Sequence, residues 1–186
     1  MKMGRCLAAA AIALAFLIGA ADTPPEPDGY RMDNYRAPTP ATLRGATVLS
    51  TDDAHAHWEK RDAAFVDVLP QVPRPAGLPA STIWREKPRE DIPGSIWLPD
   101  TGYGALAPVM EQYLEQGLAQ VSGGDRDRML VFYCLASCWM SWNAAKRALA
   151  IGYRRVAWYP DGTDGWAAEH LPLELRTPVP RPPASE

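Results

Sequence analysis

Two cysteines carry most of the chemistry open to this chain. Cys134 and Cys138 sit in VFYCLASCWMSW, Val131 to Trp142, where an apolar run ends on the first thiol and Trp139 and Trp142 follow the second. A thiol can serve as a small core hydrophobe, half of a disulfide, a soft metal ligand or a nucleophile. Cys134 directly follows the apolar run Met129 to Tyr133, which reads as a strand, and a helix is expected to begin near Met140 or Ser141. Its sulfur therefore faces a helix N-terminus, whose unpaired amides and dipole favour a thiolate and lower its pKa. Cys138 lies where it could attack a persulfide or a mixed disulfide on Cys134.

The other readings stay open. On one helix, residues four apart hold their Cβ atoms about 5–6 Å apart, too wide for a disulfide, so the pair closes only if the loop is not helical. Zinc needs four ligands at recognisable spacing, and His55, His57 and His170 form no such pattern with the cysteines. Two thiolates could take Cu(I); the thiol chemistry itself requires no cofactor. His55 and His57, on a predicted helix near acidic residues, read as solvated.

Alternating elements must position these thiols. Ala46 to Ser50 reads as a strand and Thr51 as the cap of a helix over Asp52 to Lys60, with early aspartates suiting its dipole. Ala63 to Leu69 is a buried strand with Asp67 near its end. A long proline-rich loop follows, in which Arg85, Lys87 and Arg89 are expected to be solvated. SIWLP is a short strand, APVMEQYLEQGLAQV an amphipathic helix, and MLVFY a fully apolar strand. After the cysteine loop, MSWNAAKRALAIGY is a helix closed by Gly152, and RVAWY a last strand. This alternation predicts an α/β domain with a parallel sheet covered on both faces, and a site beyond the carboxyl ends of its strands. Trp139, Trp142, Trp158 and Trp166 are expected to pack the loop and last helix rather than stack a quinone. Asp67 and Ser141 should support the loop, and Asp161 and Asp164 form a turn.

Length and charge set the bounds. With 186 residues, 47% of them hydrophobic, the chain suits one domain. Residues 1–21, MKMGRCLAAAAIALAFLIGAA, have two basic residues, an apolar run and a small-residue end, the anatomy of a secretory signal peptide. Its removal deletes Lys2, Arg5 and Cys6. The 19 basic and 22 acidic residues of the chain then become 17 and 22, a net charge of −5, and Cys134 and Cys138 remain as the only cysteines. Nucleic acid is excluded as a natural partner, no membrane attachment is expected after cleavage, and an exported, oxidising compartment, the periplasm, is implied. Residues 22–44 read as an extended proline-rich leader with Tyr30 and Tyr35 as possible anchors, and residues 176–186 as a frayed or polyproline tail.

Laid end to end, FVDVLP, DIPGSIWLP, VFYC and AAKRALAIGYRRVAWYPDGTDGW resemble the rhodanese-like family over about residues 45–175. The resemblance implies a three-layer rhodanese-like fold, with Cys134 as the sulfur-carrying nucleophile in a loop of Leu135, Ala136, Ser137, Cys138 and Trp139. The signal segment, the CLASCWMSWNAAKRA block and the GTDGW turn are similar to the exported pyrroloquinoline quinone-dependent catabolism-associated CXXCW motif proteins. That implies an association with periplasmic quinone-dependent alcohol oxidation and its proteins, and a small sulfur or thiol substrate. Here the spacing is C-x-x-x-C. The loop also departs from active rhodaneses, since Trp139 stands where they close it with arginine or another hydrogen-bonding residue, and it holds neither glycine nor a cation. Thiosulfate transfer should therefore be weak, and a redox cycle with Cys138 as resolving thiol fits the residues better. A non-catalytic module holding a partner protein, Cu(I) or the quinone is the alternative.

Overall fold

The computed structural model describes residues 23–72, 74–85 and 87–181; the expected signal peptide lies outside the described residues, as do the last five positions of the tail. Eleven elements follow in order: β1 (Thr47–Val48), α1 (Thr51–Lys60), β2 (Ala63–Asp67), β3 (Arg89–Asp91), β4 (Ile96–Trp97), α2 (Pro108–Ser122), β5 (Met129–Tyr133), α3 (Trp139–Ala150), β6 (Val156–Trp158), α4 (Gly162–Ala168) and β7 (Glu174–Arg176). Five strands form one parallel sheet in the order β1-β6-β5-β2-β4, as alternating strands and helices require.

The apolar central strands β2 and β5 pair over their full length, Ala63 with Met129 through Asp67 with Tyr133, so Cys134 follows beside the carboxyl end of β2. Side-chain alternation divides the core between the two faces of the sheet. Leu130, Phe132 and Val66 pack with Leu114 and Leu118 of α2 and Trp142 and Ala145 of α3. Phe65, Val131 and Tyr133 pack on the other face with Ala54 of α1 and Trp166 of α4. The sheet is thus covered on both faces.

Several boundaries differ from those expected. Ser50, not Thr51, caps α1: its hydroxyl accepts the Asp53 N–H at 3.1 Å while the Asp53 carboxylate reaches back to the Ser50 N–H at 3.3 Å, a reciprocal capping box. The GTDGW segment is the helix α4 rather than a turn. Within the expected long loop, β3 pairs antiparallel with β7, Arg89 opposite Arg176. The tail is docked as far as Arg181. The Val179 N–H donates to the Trp97 carbonyl at 2.9 Å, the Tyr113 hydroxyl donates to the Val179 carbonyl at 2.6 Å, and Arg181 pairs with Asp100. Among the described residues no helix is long and apolar enough to cross a membrane.

Candidate functional site

Strand β5 delivers Cys134 to the sheet's carboxyl edge, and α3 starts at Trp139 with Cys138 as its cap residue. The loop between is not helical. Ser137 turns it through φ 51°, and Cys134 and Cys138 are joined as a disulfide with their Cα atoms 6.4 Å apart. Both sulfur residues are buried, at 0% and 2% exposure, while Ser137 is exposed and Leu135 and Ala136 half-buried.

The loop is held from three directions. The Cys134 carbonyl accepts the Thr163 N–H at 3.0 Å and the Thr163 hydroxyl at 3.4 Å, and the Arg89 guanidinium reaches it at 3.5 Å. Leu135 bridges to Gly162, whose φ of +53° and position against the Cys134 backbone leave no room for a Cβ. The Ala136 N–H donates to Asp164 at 3.0 Å. The Ser141 hydroxyl donates to the Cys138 carbonyl at 3.1 Å and accepts the indole N–H of Trp158 at 3.0 Å. Trp139, Trp142, Trp158 and Trp166 are core residues, each at most 2% exposed.

Asp67 does hold a loop amide, that of Leu69 at 2.8 Å, but this is the smaller part of its surroundings. Arg89, expected to be solvated, is instead buried beneath the cysteine loop, and this is the main correction to the sequence reading. Its Nε donates to Asp67 at 2.6 Å and stands 2.8 Å from Asp91, while Nη1 meets the Thr163 hydroxyl at 3.2 Å. Asp67 and Asp91 are fully buried, so two carboxyls share one guanidinium out of water. Neither oxygen of Asp91 completes a hydrogen bond. Burial first, then the negative charge of Asp67 beside it, push its pKa up to about 9 against the pull of Arg89, so one carboxyl of the pair stays protonated at neutral pH. Burial works against the Arg89 charge, but Asp67, by charge and hydrogen bond, and Asp91 outweigh it and hold the guanidinium above its usual value. Burial and the two acids also raise the Tyr133 phenol, whose hydroxyl donates to Ser95 at 2.8 Å. The cation missing from the cysteine loop is therefore present below it, committed to acids. Its signal in the sequence was the alternation Arg89-Glu90-Asp91, which buries the first and third residues of a strand and exposes the second.

The leader also reaches the site. Residues 23–44 form no helix or strand, yet Tyr35 accepts the Trp139 N–H on its carbonyl at 2.9 Å, and Arg36 forms an antiparallel bridge with Cys138. Tyr30 and Tyr35 are anchors: Arg147 lies 4.3 Å from the Tyr30 ring centroid, and the Tyr35 hydroxyl accepts the Gly104 N–H at 3.1 Å. Among the described residues no group of three or more His, Cys, Asp or Glu side chains could hold a metal ion.

A family model described as a rhodanese-like domain matches residues 50–169, a span that holds the cysteine loop, Asp67, Arg89, Asp91 and Thr163 but not the leader or β7. Among solved structures, a thiosulfate sulfurtransferase from Pseudomonas aeruginosa is 19% identical with a TM-score of 0.50, over 76% of this chain and 22% of its own. A polysulfide-sulfur transferase homodimer from Wolinella succinogenes is 20% identical with a TM-score of 0.45, over 72% of this chain and 81% of that one. An uncharacterized protein from Saccharomyces cerevisiae is 25% identical with a TM-score of 0.40, over 67% of this chain and 92% of that one. Comparison with curated proteins finds no match.

Proposed function

The chain belongs to the rhodanese-like domain family, and from that premise we propose an exported thiol protein in which Cys134 and Cys138 cycle between dithiol and disulfide. The observation that carries this reading is the closed Cys134–Cys138 bond between a strand end and a helix start. As a sulfur carrier, Cys134 would hold a persulfide. The Cys138 thiolate would attack the Cys134 sulfur, form the disulfide and expel the outer sulfur as hydrosulfide. A dithiol on a partner would then reduce the bond: one partner thiolate forms a mixed disulfide, the second resolves it, and the partner leaves oxidised. Thr163, Asp164 and Ser141 hold the loop, and Asp67 holds the Arg89 guanidinium beneath it.

Export rests on the pattern of residues 1–21, and the setting we propose, periplasmic quinone-dependent alcohol oxidation, rests on the CXXCW resemblance. The alternative, a module holding a partner protein, Cu(I) or the quinone, has less support. The tryptophans that could stack a quinone are spent on the core, and Cu(I) could bind only the reduced thiols.

Protein recovered from the periplasm should begin near Asp22 and carry the disulfide. Because the helix N-terminus favours the thiolate, its reduction potential should lie above about −300 mV, the range below which structural disulfides fall. Redox titration read by mass spectrometry measures this, and Cys134→Ser should abolish exchange in a folded protein. A bond that resists reduction until the chain unfolds would make the pair structural. Thiosulfate:cyanide turnover should be about a hundredfold or more below that of a rhodanese with a cationic loop, the loss expected when a donor to the developing charge is missing. Brisk turnover in a sulfurtransferase assay would refute that account of the loop.

A further inference from the structure

The leader lies across the cysteine loop in a manner that speaks to the substrate. The helix α3 holds it largely by hydrogen bonds to its main chain, beside ring contacts of Arg147 with Tyr30 and of Arg31 with Trp139. Asn143, fully buried, donates to the Arg31 carbonyl and accepts the Arg31 N–H, both at 2.9 Å. The Trp139 and Trp142 indoles donate to the carbonyls of Pro38 and Thr42, each at 3.0 Å, and Lys146 to those of Pro27 and Asp28 at 3.0 and 2.6 Å. Contacts of this kind recognise an extended chain without reading its side chains. At the site itself the fit is that of one strand beside another: Arg36 bridges antiparallel to Cys138, and the Tyr35 carbonyl takes the Trp139 N–H.

We infer that this groove is the substrate site of the Cys134–Cys138 pair, that it takes an extended polypeptide bearing a cysteine, and that the leader is its occupant in cis, with Arg36 where the substrate cysteine would lie. This rests on the redox reading of the pair. Small anionic donors are poorly served here, since Arg89 is committed to Asp67 and Asp91 and both sulfur residues are buried beneath the strap. A polypeptide that displaces residues 27–42 recovers the same main-chain hydrogen bonds as it gains access to Cys138. The leader lies outside the span that the family model matches, so the occupant is an addition of this chain.

The test uses the full chain. In Arg36→Cys the introduced thiol stands opposite Cys138, where bridged Cα atoms lie about 4.5–5.5 Å apart, within disulfide reach. Its thiolate should attack the Cys138 sulfur, break the bond to Cys134 and release Cys134 as a thiolate, one S–S bond forming as one breaks. Peptide mapping at mildly alkaline pH should find the link between positions 36 and 138, with Cys134 alkylated, in most chains. Met32→Cys, on the same leader but outside the bridge and 61% exposed in the parent, should leave the native disulfide intact. In a second arm, Arg31→Pro deletes the N–H given to Asn143 and loosens the strap. Exchange with a proline-rich, extended cysteine peptide should then accelerate about tenfold, the effect of one strap hydrogen bond of about 1.4 kcal/mol, and should outpace exchange with the amino acid cysteine at equal thiolate concentration, because only the peptide regains the main-chain bonds of the groove. Absence of the 36–138 link, or a peptide that exchanges no faster than the small thiol at equal thiolate concentration, would overturn the assignment and leave the leader a plain cover. If dithiothreitol cannot reduce the folded parent at all, the redox reading itself fails. If it can, and the peptide has no advantage, only the substrate class falls.

Discussion

Arg89→Met should cost about 3–5 kcal/mol of stability and disorder the cysteine loop, because it leaves a buried carboxylate without its counter-charge. Arg89 pairs directly with Asp67 and Asp91 beneath the loop, with Arg176 a weaker positive charge near Asp91, and also touches the Cys134 carbonyl and the Thr163 hydroxyl. Asp91→Asn, by contrast, should leave stability at pH 7 unchanged or raise it, since it replaces a carboxyl that is already neutral and spares the folded chain the proton it must take up. The two variants also differ in pH dependence. Asp91 titrates near 3.8 when unfolded and at about 9 when folded, so the folded chain holds a proton that the unfolded chain gives up. Its contribution is complete below pH 4 and falls away as pH climbs from about 4 to 9. Urea unfolding of the parent should show that decline, and Asp91→Asn should lack this share of it. A loss of several kcal/mol in Asp91→Asn at pH 7 would mean that Asp91 is ionised and that the charge balance is wrong.

Trp139→Ala should destabilise the protein by a similar amount, about 3–5 kcal/mol, as expected for deleting a buried indole. Trp139 is 2% exposed, packs edge-on against Trp142 with ring centroids 5.4 Å apart, and carries the Arg31 guanidinium 5.2 Å from its ring centroid. Its indole N–H also holds the Pro38 carbonyl. The loss should therefore reach the leader, and residues near Tyr35 should become sensitive to brief proteolysis before the domain unfolds. A Trp139→Ala chain as stable as the parent, with its leader still protected, would show that the strap is anchored elsewhere. The same packing makes Trp139→Arg an unsuitable way to restore a loop cation, because the new charge would be placed in the core.

The sequence by itself determined the alternation of elements, the parallel sheet, the apolar strand that leads into Cys134 and a helix after the cysteine loop, expected near Met140 or Ser141 and found to start at Trp139. These follow from local pattern: β5 is five consecutive apolar residues, all buried, and α3 carries Lys146 and Arg147 toward its C-terminal end with Gly152 just beyond it. The burial of the four tryptophans was legible from their large apolar area, since they lie on or beside those elements. The thiol pair at a strand end marked Cys134, and the family resemblance implied its role as the sulfur carrier. What only the tertiary structure decided is how distant, polar and irregular segments meet the loop. Arg89 finds Asp67 across 22 residues, and Arg31 finds Asn143 across 112. A charged residue in a proline-rich stretch has no local period to show that it is buried, and solvation is its usual state. Burial became tolerable for Arg89 only because β3 pairs with β7 and brings it over two acids that one protonated carboxyl keeps in balance. Nor could the leader's place be read from its composition, because its hydrogen bonds to α3 use main-chain groups that every sequence carries.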